Sequence, residues 1–551
     1  MRRSRPNNKT VFLNELRRAS PTAVEGLHHP ITRQRSSNLF SSAVRGALLA
    51  ATTISLTACR PPAPTSNTLT FLIESSPNNL DLRQGTDAQS ERIGELIYDP
   101  LVRKDKNFNL QPWLATSWER PDPLTWVFHL RPNVRFHDNH PLTSADVAWS
   151  IRSMFDGTLI TAKGGAFAGI TAIDTPDPLT LIVHSRTPLA SLLFNLSDGL
   201  FGVVESGANR DEGLHPIGSG SFRFVSQLQD KEVVLDRNPT YWAGPVSPTL
   251  QRIRFEVVPD TITAALEMKK GSADVESNLL TMDMVHALRN QHNLQVDTGH
   301  GARVDYLNFN VQDPALRDPR VRQAVALAID KPALIAALWR NHARPADTLL
   351  PPGHWAAAPI ADLAHYPHNI PRALQLLDAA GLPPDRNGIR LRLTLKTSTD
   401  ETTRLEAQAM QSELRDAGIA LTLRSTEFGT FYSDITKGSF QMYILRWIGS
   451  NEDPDIFHYV YATEMFPPKG ANRGRYSNPR IDVLLKSASA DTSQFTRRND
   501  YIQIQNILAQ NLPTLPLWYP DNIVVHSTRL TNLTLDPGGS FDFLRTARLQ
   551  Q

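Results

Sequence analysis

Cysteine is almost missing: the 551 residues contain one, Cys59. No disulfide can close within the chain, so apolar packing must hold the fold together. No apolar run approaches the ~20 residues that a membrane-spanning helix needs. The basic tracts that grip nucleic acid are also lacking. So are the short signatures of familiar enzymes: there is no HExxH, GxSxG, Walker loop or GxGxxG. These absences favour a binding protein over an enzyme.

The cysteine itself is informative. It ends Leu56-Thr57-Ala58-Cys59, after a short apolar run from Gly46 to Ala58 with Arg33, Arg35 and Arg45 upstream. A basic segment, a short apolar segment and small residues at a cut describe an export signal. The string resembles a bacterial lipobox, in which the leader is removed and the cysteine acylated. Residues 1–58 are thus expected to be a lipoprotein signal peptide, with lipidation at Cys59. A leader of this length is unusual, and a later translation start, near Leu27 or Leu39, would shorten it. The leader holds nine Lys and Arg against two Asp and Glu, a net of +7. The whole chain carries +2, which leaves the mature part at −5. The basic balance therefore belongs to the leader.

Residues 59–66, rich in Pro, Ser and Thr, read as a tether. After it strands and helices mix. Leu69, Phe71 and Ile73 alternate as in a half-buried strand; so do Trp126, Phe128 and Leu130, then Ile253, Phe255 and Val257, then Leu391, Leu393 and Leu395. Thr143-Ser144-Ala145-Asp146 has the form of a capping box. Asp318-Pro319 starts a helix as cap and first-turn proline. Helical stripes at Ala373–Ala380 and Ala407–Ala417 end at Gly381 and Gly418. The mixture indicates α/β or α+β domains.

Chemistry-bearing clusters are few. His137 and His140 lie three apart, in a loop that reads as a solvated turn or as part of a metal site. Asp453-Pro454-Asp455 offers two carboxylates, but the better reading is a rigid turn that caps a helix at Ile456. General acid–base work would need the two to converge on one substrate atom with separated pKa values.

Eight segments, in order, resemble the family 5 extracellular solute-binding proteins of ABC importers. They include Ile97-Tyr98-Asp99-Pro100-Leu101, Gln111 to Trp118, and the run Thr125 to Val147. Pro216 to Phe222, Arg237 to Trp242, Lys270 to Asp274, Asp318 to Asp330 and Trp447 to Phe457 complete the set. The resemblance implies a two-lobe, periplasmic-binding-protein-like fold (type II) with an extra subdomain in lobe one and two interlobe crossovers. Lobe one is expected at 67–302 plus 522–551, with the extra subdomain at about 91–210, and lobe two at 303–521. The implied role is a non-enzymatic one. It is capture of a peptide or peptide-like solute between the lobes and delivery to an ABC permease in the inner membrane. The protein would be a lipid-anchored monomer of the periplasm or cell envelope, without cofactor, bound metal or nucleic-acid partner. A nickel chelate, haem or an oligosaccharide is the alternative ligand on the same fold. A surface enzyme or a chaperone-like adaptor is the alternative of another class.

The resemblance also places the ligand. Trp447 matches a pocket tryptophan of peptide and nickel binders. Three residues later the peptide-binding pattern has an Asp for the peptide's ammonium group, where this chain has Ser450. That exchange removes a charge-assisted bond. Either Glu452 or Asp453 supplies the charge from nearby, or the ligand lacks a free amine. Arg446, next to Trp447 on a strand, should face the other way. Further candidates are Gln84, Asp87, Ser221, Tyr306, Asn308 and Arg404, the last as a carboxylate binder or a solvated helix residue. Trp113, Trp118 and Trp126 read as structural.

Overall fold

The computed structural model describes residues 67–550, apart from 162, 198, 208–210, 245, 247–248, 450–451 and 492. The expected signal peptide and tether, Cys59 and Ser450 lie outside the described residues. Among those described, no helix is long and apolar enough to cross a membrane.

Two sheets organise the chain. The first has seven strands, in the order Leu294–Gly299, Asn522–Ser527, Val275–Ser277, Thr68–Ile73, Arg252–Val257, Glu232–Arg237 and Phe222–Leu228. Thr68–Ile73 runs parallel to both of its neighbours. Leu69, Phe71 and Ile73 face a core that includes Phe255 and Phe541. The opposite face is covered too: Leu72 packs with Ala264, Met268 and Val285 of the helices Thr261–Lys270 and Met282–Leu288. The strand is therefore buried on both sides rather than half-buried, because helices cover each face of a sheet with parallel pairs. Thr125–Leu130 does keep the alternating burial of a half-buried strand.

The second sheet has six strands, in the order Ala343–Pro345, Thr514–Pro520, Val304–Phe309, Met442–Trp447, Leu391–Thr397 and Ile419–Ser425. Leu391–Thr397 and Ile419–Ser425 are parallel, joined by the helix Glu401–Asp416, as parallel neighbours require a crossover. Gly418 follows that helix with φ 73° and Gly381 follows Ile370–Ala379 with φ 77°, both in the left-handed region expected of a C′ glycine.

The chain passes between the sheets twice, from Gly299 to Val304 and from Pro520 to Asn522, the second time through Asp521 alone. The two passages lie side by side. A Cβ on Gly301 would sit 2.2 Å from the Pro520 carbonyl oxygen, so only glycine permits the approach. Asp521 donates its N–H to the His342 carbonyl at 3.0 Å.

A smaller four-stranded antiparallel sheet, Ala115–Asp122, Thr125–Leu130, Thr180–Ser185 and Ile170–Asp177, forms the extra subdomain of lobe one. The helix Ser144–Ser153 packs on it, opened by the capping box of Thr143 and Asp146. Its apolar core draws residues from Leu101 to Val203, whereas Ile93, Leu96 and Ile97 of the helix Ala88–Ile97 pack against the seven-stranded sheet.

Asp99 joins subdomain and lobe. Its fully buried carboxylate accepts from Trp113 Nε1 and Tyr241 Oη on one oxygen, and from Ser219 Oγ and Trp242 Nε1 on the other, each at 2.8 Å. Four of the recognised sequence segments thus meet at one anion. Replacing Asp99 with Ala would leave four buried donors unpaired, at a cost of about 3 kcal/mol or more. We expect Asp99→Ala to lower the thermal unfolding midpoint by roughly 5 °C or more, measured by calorimetry on the full chain; an unchanged midpoint would refute the linking role.

Candidate functional site

The space between the lobes is bounded on one side by the helix Ala88–Ile97 and the subdomain, and on the other by the loop after Trp447. Two cavities open there. The larger, about 390 Å³, lies between Phe108, Trp118, Arg120 and Trp126 of lobe one and Trp355, Asp453 and Arg497 of lobe two. The smaller, about 50 Å³, lies between Glu91, Arg92 and Glu95 of the helix and Ile448 and Gly449 of the loop. Glu452 lines both. Its carboxylate accepts from Lys104 Nζ at 2.6 Å, across the lobes, and both side chains are largely buried. Desolvation offsets most of the Coulomb attraction in such a pair. It orients the lobes without locking them.

His354 supports this contact from lobe two. Its Nδ1 accepts from the Ala356 N–H at 3.0 Å, which puts the proton on Nε2, facing the Glu452 carbonyl at 3.0 Å. Phe108 of lobe one stacks on the imidazole, centroids 5.8 Å apart. Burial pushes His354 down to about 4. Asp453 is raised, first by burial and then by the charge of Asp455. Asp453 Oδ1 accepts the Asp455 N–H at 2.7 Å, so the Asp-Pro-Asp segment is a turn leading into the helix Ile456–Tyr461, with no side-chain cap from Asp455.

Trp447 ends its strand and stacks on Tyr306, centroids 5.8 Å apart and planes at 11°. Tyr459 meets it edge-on at 6.3 Å, and the Arg473 guanidinium lies 5.5 Å from its ring centre. Strand alternation turns Arg446 to the opposite face, where it donates to Asp400 and to Thr403 Oγ1.

The other sequence candidates do not gather here. Gln84 donates to the Ile160 carbonyl and accepts from Asn79 within lobe one. Asp87 is the N-cap of Ala88–Ile97, accepting from Ser90 N at 2.9 Å. Ser221 is buried beside Phe222–Leu228, its carbonyl accepting from Asn238 N. Asn308, inside the six-stranded sheet, accepts from Thr514 Oγ1 at 2.7 Å. Arg404 stands half-exposed near Glu401 on its own helix. His137 is half-buried against the Gly220 carbonyl and does not join His140. His140 instead sits between Asp138 and Glu205 on the exposed surface, both carboxylates addressing the same Nδ1. Trp113 is structural, through Asp99, but Trp118 and Trp126 also line the larger cavity. Lys104, Arg473 and Arg497 had no signal in the sequence, because each acquires its partners from distant segments.

Comparison with known proteins follows from this geometry. The profile of the bacterial extracellular solute-binding proteins, family 5 (middle region), matches residues 109–465. The chain belongs to this family. It is a transport binding protein and not an enzyme. It is similar to a probable di/tripeptide-binding protein of Pseudomonas aeruginosa, 27% identical over 509 residues that cover 87% of this chain and 95% of that one. It is also similar to the glutathione-binding protein of Pectobacterium atrosepticum, 25% identical over 484 residues, 86% of this chain and 92% of that one. Among solved structures, NikA of Brucella suis in complex with Fe(III)-EDTA superposes with a TM-score of 0.79 at 23% identity. That match covers 88% of this chain and 100% of NikA. The DppA protein of Helicobacter pylori with peptide STSA gives 0.74 at 24%, over 88% and 98%. The fold is that of the periplasmic binding proteins.

The depressed His354 sets a pH response. Its stabilising contribution is complete above its ordinary value of 6.5 and is lost as pH falls toward 4. His137, also held near 4 by burial, acts in the same sense. Raised carboxyls such as Glu276, pushed by burial to about 7, act oppositely: their contribution is lost as pH rises. We expect His354→Asn to shrink the fall in unfolding free energy between pH 6.5 and 4.5, measured by denaturant titration, by up to about 2 kcal/mol. An identical fall in both proteins would remove His354 from the response.

Proposed function

We propose that this chain is the lipid-anchored solute receptor of an ABC importer, which captures a peptide or peptide-like solute between its lobes and passes it to the permease. Lobe one comprises 67–302 and 522–551, with the extra subdomain at about 91–210; lobe two comprises 303–521. The observation that carries the reading is the interlobe gap lined by Ile448 and Gly449 and crossed by the Lys104–Glu452 pair. Few residues need to move for such lobes to open and shut, and a solute touching both favours the shut form by its differential affinity. Trp447, just before Ile448 of the smaller cavity, is the foremost contact, with Asp453 at the larger cavity. The anchor rests on Cys59 and its leader. The relatives named as di/tripeptide- and glutathione-binding proteins support the solute class.

Two measurements test this. Short peptides, oligosaccharides and nickel–histidine are screened by thermal shift on the full chain. A peptide at 100 times its Kd should add about 2.7 kcal/mol of stability; a shift by another class with none from peptides overturns the solute class. Expression with labelled palmitate should label the wild-type protein and not Cys59→Ser; an unlabelled wild type overturns the anchor.

A further inference from the structure

The two interlobe cavities differ in room and in character. The larger, about 390 Å³, falls within the ~300–1,000 Å³ usual for small-molecule sites, whereas the smaller, beside Ile448, offers about 50 Å³. Glu452 lines both, so the two adjoin. A solute that starts at the smaller cavity finds room for its bulk in the larger.

Five aromatic rings line the larger cavity: Phe108, Trp118, Trp126 and Phe194 from lobe one, and Trp355 from lobe two. Trp118 and Arg120 stand two apart on the strand Ala115–Asp122, as residues on one strand face do. The Arg120 guanidinium lies 5.0 Å from the ring centre of Trp126, on the neighbouring strand. Lobe two repeats this arrangement, with Arg497 5.4 Å from the ring centre of Trp355. A carbonyl steadies each guanidinium: Arg120 Nη2 donates to Pro123 at 2.7 Å and Arg497 Nε to Ala488 at 3.0 Å. Trp126 is 7% exposed and belongs to the subdomain core. Trp118 and Trp355 are half-buried and keep ring surface open to a guest.

The charges on the walls select against a charged guest. Arg120 and Arg497 line the cavity together with Asp453 and Asp491, and Glu452 is already matched by Lys104. An ion of either sign would meet its own sign on the wall while losing hydration. Arg120 is lowered, first by burial and then by the charge of Arg497, so the two guanidiniums already repel across the lobes. A neutral ring gains instead. Contacts with the indoles add to the burial of its area, and its face attracts a guanidinium. An aliphatic guest has the area alone.

We infer that the larger cavity is a second subsite, which takes an uncharged aromatic side chain of the solute between Trp118 of lobe one and Trp355 of lobe two. This deepens the proposed function and rests on its peptide solute. A ring so placed touches both lobes, and its contacts therefore favour the shut form.

The test uses the full chain and calorimetric titration with trialanine and with tripeptides that carry Phe, Lys or Glu at each position in turn. The best-placed Phe tripeptide should bind at least about tenfold more tightly than trialanine, as expected for burying one ring. No Lys or Glu tripeptide should match it. Trp118→Ala, which removes a wall, and Ala190→Phe, which fills the space, should each cut the margin of Phe over trialanine at least fivefold; two opposite changes of volume guard against one of them failing to fold. Tripeptides that bind alike whatever their side chain, or a margin that survives both substitutions, would overturn the subsite and leave the peptide reading standing. N-acetyl-phenylalaninamide, a ring without charged termini, separates the converse case. Its binding, lost in Ala190→Phe, with no tripeptide bound at all, would overturn the peptide reading and keep the subsite.

Discussion

A single buried carboxylate holds lobe one and its subdomain in register. Asp99 sits where the helix Ala88–Ile97 hands over to the subdomain, and its oxygens collect two indoles, a phenol and a hydroxyl from segments up to 143 residues away. A charge in such a place is tolerable only because every lone-pair direction finds a donor. The Gly-rich turn next to it is shaped by the same packing: a Cβ on Gly218 would lie 2.1 Å from the Ile97 carbonyl oxygen. The wall that lobe two closes against therefore stands on a polar network, and the apolar cores to either side are separate.

This explains what the sequence could and could not reveal. The recognisable segments at Asp99, Trp113, Ser219 and Trp242 are architectural, so they identified the fold. Alternation and end signals located the strands and helices well, since those are local effects; the capping box at Thr143 and the cap at Asp318 are where expected. The half-buried reading of the strand at Leu69–Ile73 failed because burial of its second face, at Leu72, depends on helices about 200 residues away. Candidate site residues divided in the same manner. Asp87 carries an acid before a helix, and local geometry claims it as a cap. Trp447 was visible through the segment around it. Arg473 was not, because nothing local distinguishes a solvated arginine from one enclosed by Tyr432 and Trp447.

Closure must be reversible for a carrier, and the contacts between lobes are of a suitable kind. Lys104 and Glu452 trade hydration for attraction with little net gain, and Arg340–Asp283, at 2.6 Å on the exposed rim, contributes less still. Neither alone sets the balance between open and shut forms. That leaves the solute's own contacts to decide it.

Both ends of the described chain belong to the same half of the molecule: Thr68–Ile73 lies inside the seven-stranded sheet, and Arg548–Leu549 pairs with Leu530–Thr531 beside it. Neither of the passages at Gly301 and Asp521 carries a load applied at either terminus. Held by one end on a bead or a sensor chip, the molecule keeps its full stroke, and only the free half swings.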